Sequence, residues 1–343
     1  MKQHIPKLLL FILIGCFLSC EKTIEFKGDV TDPLLVLNSI LTPDSVVSIH
    51  LSQSRFYLGE LAPFKHISNA TVSVFVNGSL KEKLTYDAEG LYKGTYFPKA
   101  GDEVKIEVKA DGYDLVKSQT VIPHASNIVS DSTVTIIEKE YISPGQTNTT
   151  YISKERNMQV QLKLKDNINE ENYYYIKATQ NYYRKDELVM NRIIELNLSE
   201  VLKNNITDGG NIFDEIFGEG GNTNRTDNLF SDFYINGKEI LFDFLFSDQL
   251  ESSKYVDGEI TDDGNNDKEA TVEYIIEIGA FSKDMYQYVI SGNEAANSKD
   301  VPFTEPVQVH SNIENGIGIL GAYNSYRFVS RFETKYFPYY GAR

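Results

Sequence analysis

At 343 residues, 41% of them hydrophobic, the chain is long enough to bury one large core or two ordinary ones, which excludes wholesale disorder. Its formal charge is −16, from 33 Lys and Arg against 49 Asp and Glu, and becomes −18 without the first 19 residues. A surface of that sign repels phosphate backbones and anionic headgroups, so no nucleic acid partner is expected. Membrane attachment must then come from lipid or from another protein.

The first predicted element is a leader. Lys2 and Lys7 make a basic start, and Leu8 to Leu18 is an apolar run of signal-peptide length, too short to span a bilayer. Ser19 precedes Cys20, and charge follows at once with Glu21 and Lys22. This is the pattern of a bacterial lipoprotein signal. Residues 1–19 are expected to be removed, and Cys20 to carry the lipid, palmitate being one such acyl group. A second candidate stands inside the run, since Leu13 to Cys16 also fits the lipobox. Cleavage there would leave an apolar Phe-Leu-Ser stub, so Cys20 is preferred, with Cys16 the alternative. The sequence holds 2 cysteines, so neither a core disulfide nor a cysteine cluster for zinc is available.

Residues 20–33 are polar and read as a tether between lipid and fold. From Leu34 the pattern becomes strand–turn–strand. In Val104 to Lys109, Val104, Ile106 and Val108 alternate with Lys105, Glu107 and Lys109, the period of a sheet with one wet face. Asn77-Gly78 between alternating apolar runs predicts a hairpin, because both turn residues must take positive φ. About seven short strands fit before Pro123, which predicts an immunoglobulin-like sandwich over 34–125.

A second, larger β-rich domain is expected over 126–343, so the fold class is all-β with one or two short helices. Met158 to Leu164 alternates cleanly, and Tyr173 to Tyr183 returns as an aromatic strand. Arg192 to Leu202 is ambiguous between strand and helix. Residues 203–228 read as a long loop. Asn236-Gly237 predicts another hairpin, and 255–270 is an acidic loop. Ser282 to Asn297 reads as a helix, with Ser282 as its cap, Asp284 at its positive end, and Met285, Tyr288 and Val289 on one face. The chain then finishes in strands. No sustained lipid-facing band marks a transmembrane barrel.

Few motifs point to chemistry. His50, His66, His124 and His310 each lack a second His or Cys at metal-ligand spacing, which favours surface or packing roles. Asp263 to Asp267 resembles the first half of a calcium loop, but Lys268 stands where glycine is needed and Tyr274 where a bidentate acid is needed, so no metal site is assigned. No nucleophile elbow, P-loop or zinc-protease motif occurs. No catalytic residue is singled out, and no cofactor or ligand class emerges. Tyr173, Tyr174, Tyr175, Tyr182 and Tyr183 could stack on sugars or a peptide, though core packing is the commoner use of strand tyrosines. In Pro302 to Tyr323, Asn315-Gly316 and Gly318 demand tight backbone geometry, which reads as a structural corner.

That segment, P-F-x-E-P-V-x-V-x-S-N-I-E-N-G-x-G-I-x-G-x-Y, resembles the C-terminal signature of a Bacteroidetes lipoprotein family defined by the domain of unknown function 4249. The stretches LSCEKTIEF, PLLVLNSIL, SNATVSVFVNG, KDNINEENYYYIKA and LFSDFYINGKEILFDF are similar to its other blocks, so the likeness covers nearly the whole mature chain. Phe17 departs from it, standing where leucine is usual three places before the lipid cysteine. The resemblance implies an outer-membrane lipoprotein with an N-terminal immunoglobulin-like domain, in a family often encoded beside TonB-dependent transporters. It implies no catalytic residues. Glu21 and Glu25 resemble surface-export signals of that phylum, and Asp44-Ser-Val and Asp131-Ser-Thr resemble its O-glycosylation motif. The expected function is therefore a non-enzymatic binding or accessory subunit of a TonB-dependent barrel protein, facing the medium. The alternatives are a subunit of another outer-membrane secretion or assembly complex, and a glycan hydrolase using paired acids.

Overall fold

The computed structural model describes residues 32–55, 63–125, 133–144, 149–202, 204–207, 210–211, 228–256, 259–261, 270–298 and 307–334. Cys16, Cys20, nearly all of the tether, most of the 203–228 loop, Asp263 to Asp267, Pro302 and Pro306 lie outside the described residues. Among the described residues no helix is long and apolar enough to cross a membrane.

Eight strands build the first part: β1 (Leu35–Leu41), β2 (Ser48–Gln53), β3 (Thr71–Val76), β4 (Ser79–Lys83), β5 (Thr85–Tyr86), β6 (Leu91–Lys93), β7 (Glu103–Lys109) and β8 (Val116–Val121). They run β1-β2-β6-β5 in one sheet and β4-β3-β7-β8 in the other. This is the A-B-E-D and C′-C-F-G order of immunoglobulin-like sandwiches. Alternation drives it. Leu35, Leu37, Ile49, Leu51, Val72, Val74, Val104, Ile106 and Val108 point inward from both sheets into one core. The expected Asn77-Gly78 hairpin joins β3 to β4, with φ of 50° and 78° at its two corners.

A buried carboxylate locks that corner to the next strand. Asp102 accepts from Tyr96 Oη (2.5 Å), from the Lys99 backbone N–H (2.8 Å) and from Asn77 Nδ2 (3.1 Å). Burial alone would raise the Asp102 pKa, but the three hydrogen bonds outweigh it and hold the carboxyl below its ordinary value. Burial and the same hydrogen bond push Tyr96 up to about 12. The folded carboxylate thus binds its proton more weakly than the unfolded one. Its stabilisation is complete above the ordinary carboxylate range, about pH 4, and is lost as pH falls through the depressed folded value. Asp102→Asn is expected to cost about 2 kcal/mol at neutral pH and to flatten the acid limb of a stability–pH curve measured by urea unfolding. An unchanged acid limb would contradict this assignment.

The rest of the chain forms β9 (Thr133–Pro144), β10 (Thr149–Lys165), β11 (Tyr173–Arg184), β12 (Glu187–Ile194), the one-turn helix α1 (Leu198–Val201), β13 (Ile206–Thr207), β14 (Gly210–Asn211), β15 (Leu229–Ser231), β16 (Glu239–Val256), β17 (Glu259–Thr261), β18 (Ala270–Phe281), helix α2 (Lys283–Ser298) and β19 (Ile317–Thr334). One sheet has the order β17-β16-β10-β9. Its inward row of Met158, Val160, Leu162, Leu164, Ile240, Phe242, Phe244 and Phe246 shares a core with Ile176, Tyr182, Tyr274, Ile276 and Ile278 of β11 and β18. The ambiguous stretch divides, with strand to Ile194 and a helical turn from Leu198 that Asn197 caps through Ser199 N–H.

The class is all-β, as expected, with two α-helices among the described residues. The hairpin expected at Asn236-Gly237 is corrected. Lys238 N–H bonds Ile235 C=O (2.8 Å) and Gly237 has φ 74°, which makes a tight turn. The flanking strands belong to different sheets, since β15 pairs with β11 and β16 with β10. The turn carries the chain across the sandwich, and no hairpin forms.

The buried residues form two cores, one of Leu35 to Ile122 joined by Ile313, Leu320 and Ala322, the other running from Met158 to Ile278. The hydrogen bonding does not separate. Strand β19 pairs antiparallel with β18 and parallel with β1, from Val36↔Ile317 to Leu41↔Ala322. It merges the A-B-E-D sheet with β12-β11-β18 into one nine-stranded sheet and contributes Leu320 and Ala322 to the first core.

A candidate binding cleft

Strand β8 ends the β4-β3-β7-β8 sheet, so one side of its backbone faces away from the sheet. Ile122 N–H donates to Asp102 C=O across to the β7 side, so the alternate residues Lys117, Gln119 and Val121 turn their backbone groups outward. Lys117 is covered. It exchanges both backbone bonds with Glu314 (3.3 and 2.8 Å), and Ser118 Oγ donates to Asn312 C=O (2.9 Å). Asn312 Nδ2 reaches Gln119 C=O (3.4 Å) and Leu320 C=O (3.0 Å). Asn315, with φ 56°, donates its side-chain amide to Leu115 C=O, so the C-terminal signature from residue 307 onward is a strap and a corner, as its glycines and asparagines imply.

Past Asn312 the strap leaves β8 and follows α2. His310 N–H donates to Ser291 Oγ (2.8 Å), and His310 Nε2 lies 2.9 Å from Asp284 Oδ1. The start of α2 is fixed by Ser282, the residue expected as its cap. Its N–H and Oγ bond the backbone of Ala322 (2.8 and 3.0 Å), and its Oγ also receives Met285 N–H (3.4 Å). A cavity of about 590 Å³ opens between the free end of β8, the start of α2 and the turn from Glu170 to Tyr173. A second hollow of about 420 Å³ shares Gln119 and Asp284 with it. These volumes are those of small-ligand or peptide sites.

The third wall is rigid for a specific reason. Asp166 is only 4% exposed and accepts from Tyr174 Oη (2.5 Å), Gly237 N–H (2.6 Å) and Asn172 Nδ2 (3.3 Å). Asp232 accepts from Asn172 N–H (2.7 Å). Burial, then the bond to Asp166, drives the Tyr174 pKa far above the phenol range. Burial, with the charge of Asp166 adding to it, raises Asp232. The turn so held presents Glu170, 3.5 Å from His124 Nδ1, and Glu171, which receives Tyr173 Oη (3.0 Å) and Lys283 Nζ (3.2 Å). The Tyr173 ring packs on Tyr286 at 4.8 Å. The cleft is thus lined by Glu103, Glu170, Glu171 and Asp284 against Lys283 and His124.

Of the residues singled out from sequence, Tyr173 and His124 line this cleft, and His310 touches Asp284 on its wall. Tyr174, Tyr175 and Tyr182 are buried core, Tyr183 bonds Glu273, and His50 packs edge-on against His66 at 5.2 Å. Among the described residues no three His, Cys, Asp or Glu side chains converge on a metal position. The edge at Gln119 to Val121 and the pairing of Glu171 with Lys283 carried no motif. The Pro-His that follows β8 was the available signal.

Fold and cleft together define an all-β protein whose immunoglobulin-like sandwich shares a sheet with a second β layer and bears an acidic cleft at its edge strand. The chain belongs to the family of the domain of unknown function (DUF4249), whose pattern matches residues 21–328. No curated protein matches it. Among solved structures it is similar to a Corynebacterium diphtheriae protein described as membrane anchored, at 11% identity and a TM-score of 0.20. That match covers 74% of this chain and 55% of the other, so the chain spans about half the length of that structure.

Proposed function

We propose that this protein is an outer-membrane lipoprotein held by lipid on Cys20. It works without chemistry of its own, as a binding or accessory subunit of a TonB-dependent transporter, and the cleft is its docking site. The observation that carries the reading is the N-terminal pattern: Lys2 and Lys7, the apolar run to Leu18, then Cys20 and a charged tether leading to a folded all-β body. The family resemblance and the cleft beside a free strand edge support it. The acidic residues Glu21 and Glu25 behind the cysteine support a body that faces the medium.

Cys20→Ala is expected to release the protein from the membrane fraction or to block its processing. A single myristoyl-sized chain gives only marginal membrane binding, so anchoring here calls for more than one acyl chain or a partner contact. Membrane retention with lipid labelling intact would move the anchor to Cys16. Gentle detergent extraction followed by pull-down should recover a barrel protein. Recovery of a many-subunit assembly instead would favour the secretion or assembly-complex reading, and protease added to intact cells should degrade the body if it faces outward.

A further inference from the structure

The geometry points to an extended basic peptide as the ligand of this cleft, added as a short strand to β8 at Gln119 and Val121. This rests on the cleft being the docking site, and it names what docks. Four observations converge. First, among the described residues the strap's backbone pairs with β8 only at Lys117. The outward N–H of Gln119 and the N–H and C=O of Val121 have no hydrogen-bond partner among the described residues. Unpaired edge groups are the main-chain half of strand addition. Second, the open edge borders a cavity of about 590 Å³, and Val121 is 51% exposed. Third, Thr120 also lines that cavity, is only 4% exposed, and its Oγ1 has no hydrogen-bond partner among the described residues. A buried hydroxyl in that state gains free energy from any ligand that bonds it.

The fourth observation is charge. Once Glu171 has paired with Lys283, the carboxylates Glu103, Glu170 and Asp284 still line the cleft, Glu170 beside the His124 ring and Asp284 beside the His310 ring. Glu103 stands directly across from Val121 in the β7–β8 register, so a strand laid on Val121 brings its side chains alongside that carboxylate. An anionic peptide would be repelled there, and lysine or arginine side chains would find acids on the facing wall. Tyr173, packed on Tyr286, offers an apolar surface for the stems of such side chains.

The test titrates the detergent-solubilised mature lipoprotein with a short blocked peptide of alternating lysine and threonine, and with its glutamate counterpart. The lysine peptide should bind and should protect the amides of Gln119 and Val121 from hydrogen exchange. Val121→Pro removes only an outward N–H, so it should keep the melting temperature while weakening binding at least about tenfold. Val121→Ile should bind as the parent does. If the proline variant does not fold, the doubly reversed variant Glu103→Lys with Glu170→Lys should exchange the preference from the lysine to the glutamate peptide. Equal binding of both peptides, no binding, or protection located elsewhere would overturn the assignment. If a barrel co-purifies yet the peptide fails to bind, this inference falls and the accessory-subunit reading stands. If the peptide binds and nothing co-purifies, the reverse holds.

Discussion

Replacing Gly318 by alanine is expected to destabilise the protein by at least about 3 kcal/mol, far more than the same change at another left-handed glycine. Gly318 has φ +118°, a region that residues with a Cβ rarely enter. An added Cβ would meet the Leu37 carbonyl oxygen at 2.1 Å and Asn38 Oδ1 at 2.9 Å. The obstacle is backbone, and it cannot retreat. Leu37 is the register partner of Gly318 in the parallel β1–β19 pairing, and its side chain is fully buried in the first core. Relief would require parting the one strand pair that joins the two halves of the sheet. Gly112 is the control. It has φ +83° with nothing within 4 Å of an added Cβ, so Gly112→Ala should cost only the backbone term, about 1–2 kcal/mol. Urea unfolding of the two variants checks the contrast, and equal losses would show that the β1–β19 junction yields more easily than its packing implies.

The second large effect is expected at Asp166. Its carboxylate is buried and is the shared acceptor for Tyr174 Oη, Gly237 N–H and Asn172 Nδ2. Asp166→Ala leaves three donors around a space without an acceptor, at a cost of about 3–5 kcal/mol. Tyr174→Phe alone should cost about 1–2 kcal/mol, and in the Asp166→Ala background close to nothing, because its partner is already gone. Additive losses in that double-mutant cycle would contradict the network. The same turn carries Glu170 and Glu171, so the Asp166 variant should also loosen one wall of the cleft and raise exchange of the amides near Asn172.

Strand content was readable because period-two alternation is a local property. Val104 to Lys109 and Met158 to Leu164 could be assigned without knowing their neighbours, and the Asn77-Gly78 hairpin follows from two adjacent residues. Pairing was less readable, because hydrogen-bond partners far apart in the chain leave no mark on local composition. Asn236-Gly237 shows the difference. The dipeptide correctly signalled a tight turn, but whether its flanking strands pair depends on β11 and β10, which compete for them. The cleft was legible only in fragments, since its walls come from β8, the turn after Asp166 and the start of α2. What makes the edge at Val121 open is the departure of the strap at Asn312, which no residue near Val121 encodes.

The parallel pairing of β1 with β19 has a consequence for how the chain acquires its structure. Val36 is among the first residues of the fold to emerge, and its partner Ile317 is among the last. Contacts of such long sequence separation carry a large loop-closure entropy and slow the search for the native state. Strand β1 can find β2 early, but its other flank stays bare until almost the whole chain is available. A chain halted before Ile317 therefore carries an apolar strand edge with no native partner, a sticky intermediate of the kind that holding chaperones shield. Refolding from denaturant should accordingly be slow. A version cut short of β19 should aggregate even though the β2 to β8 sequence is untouched.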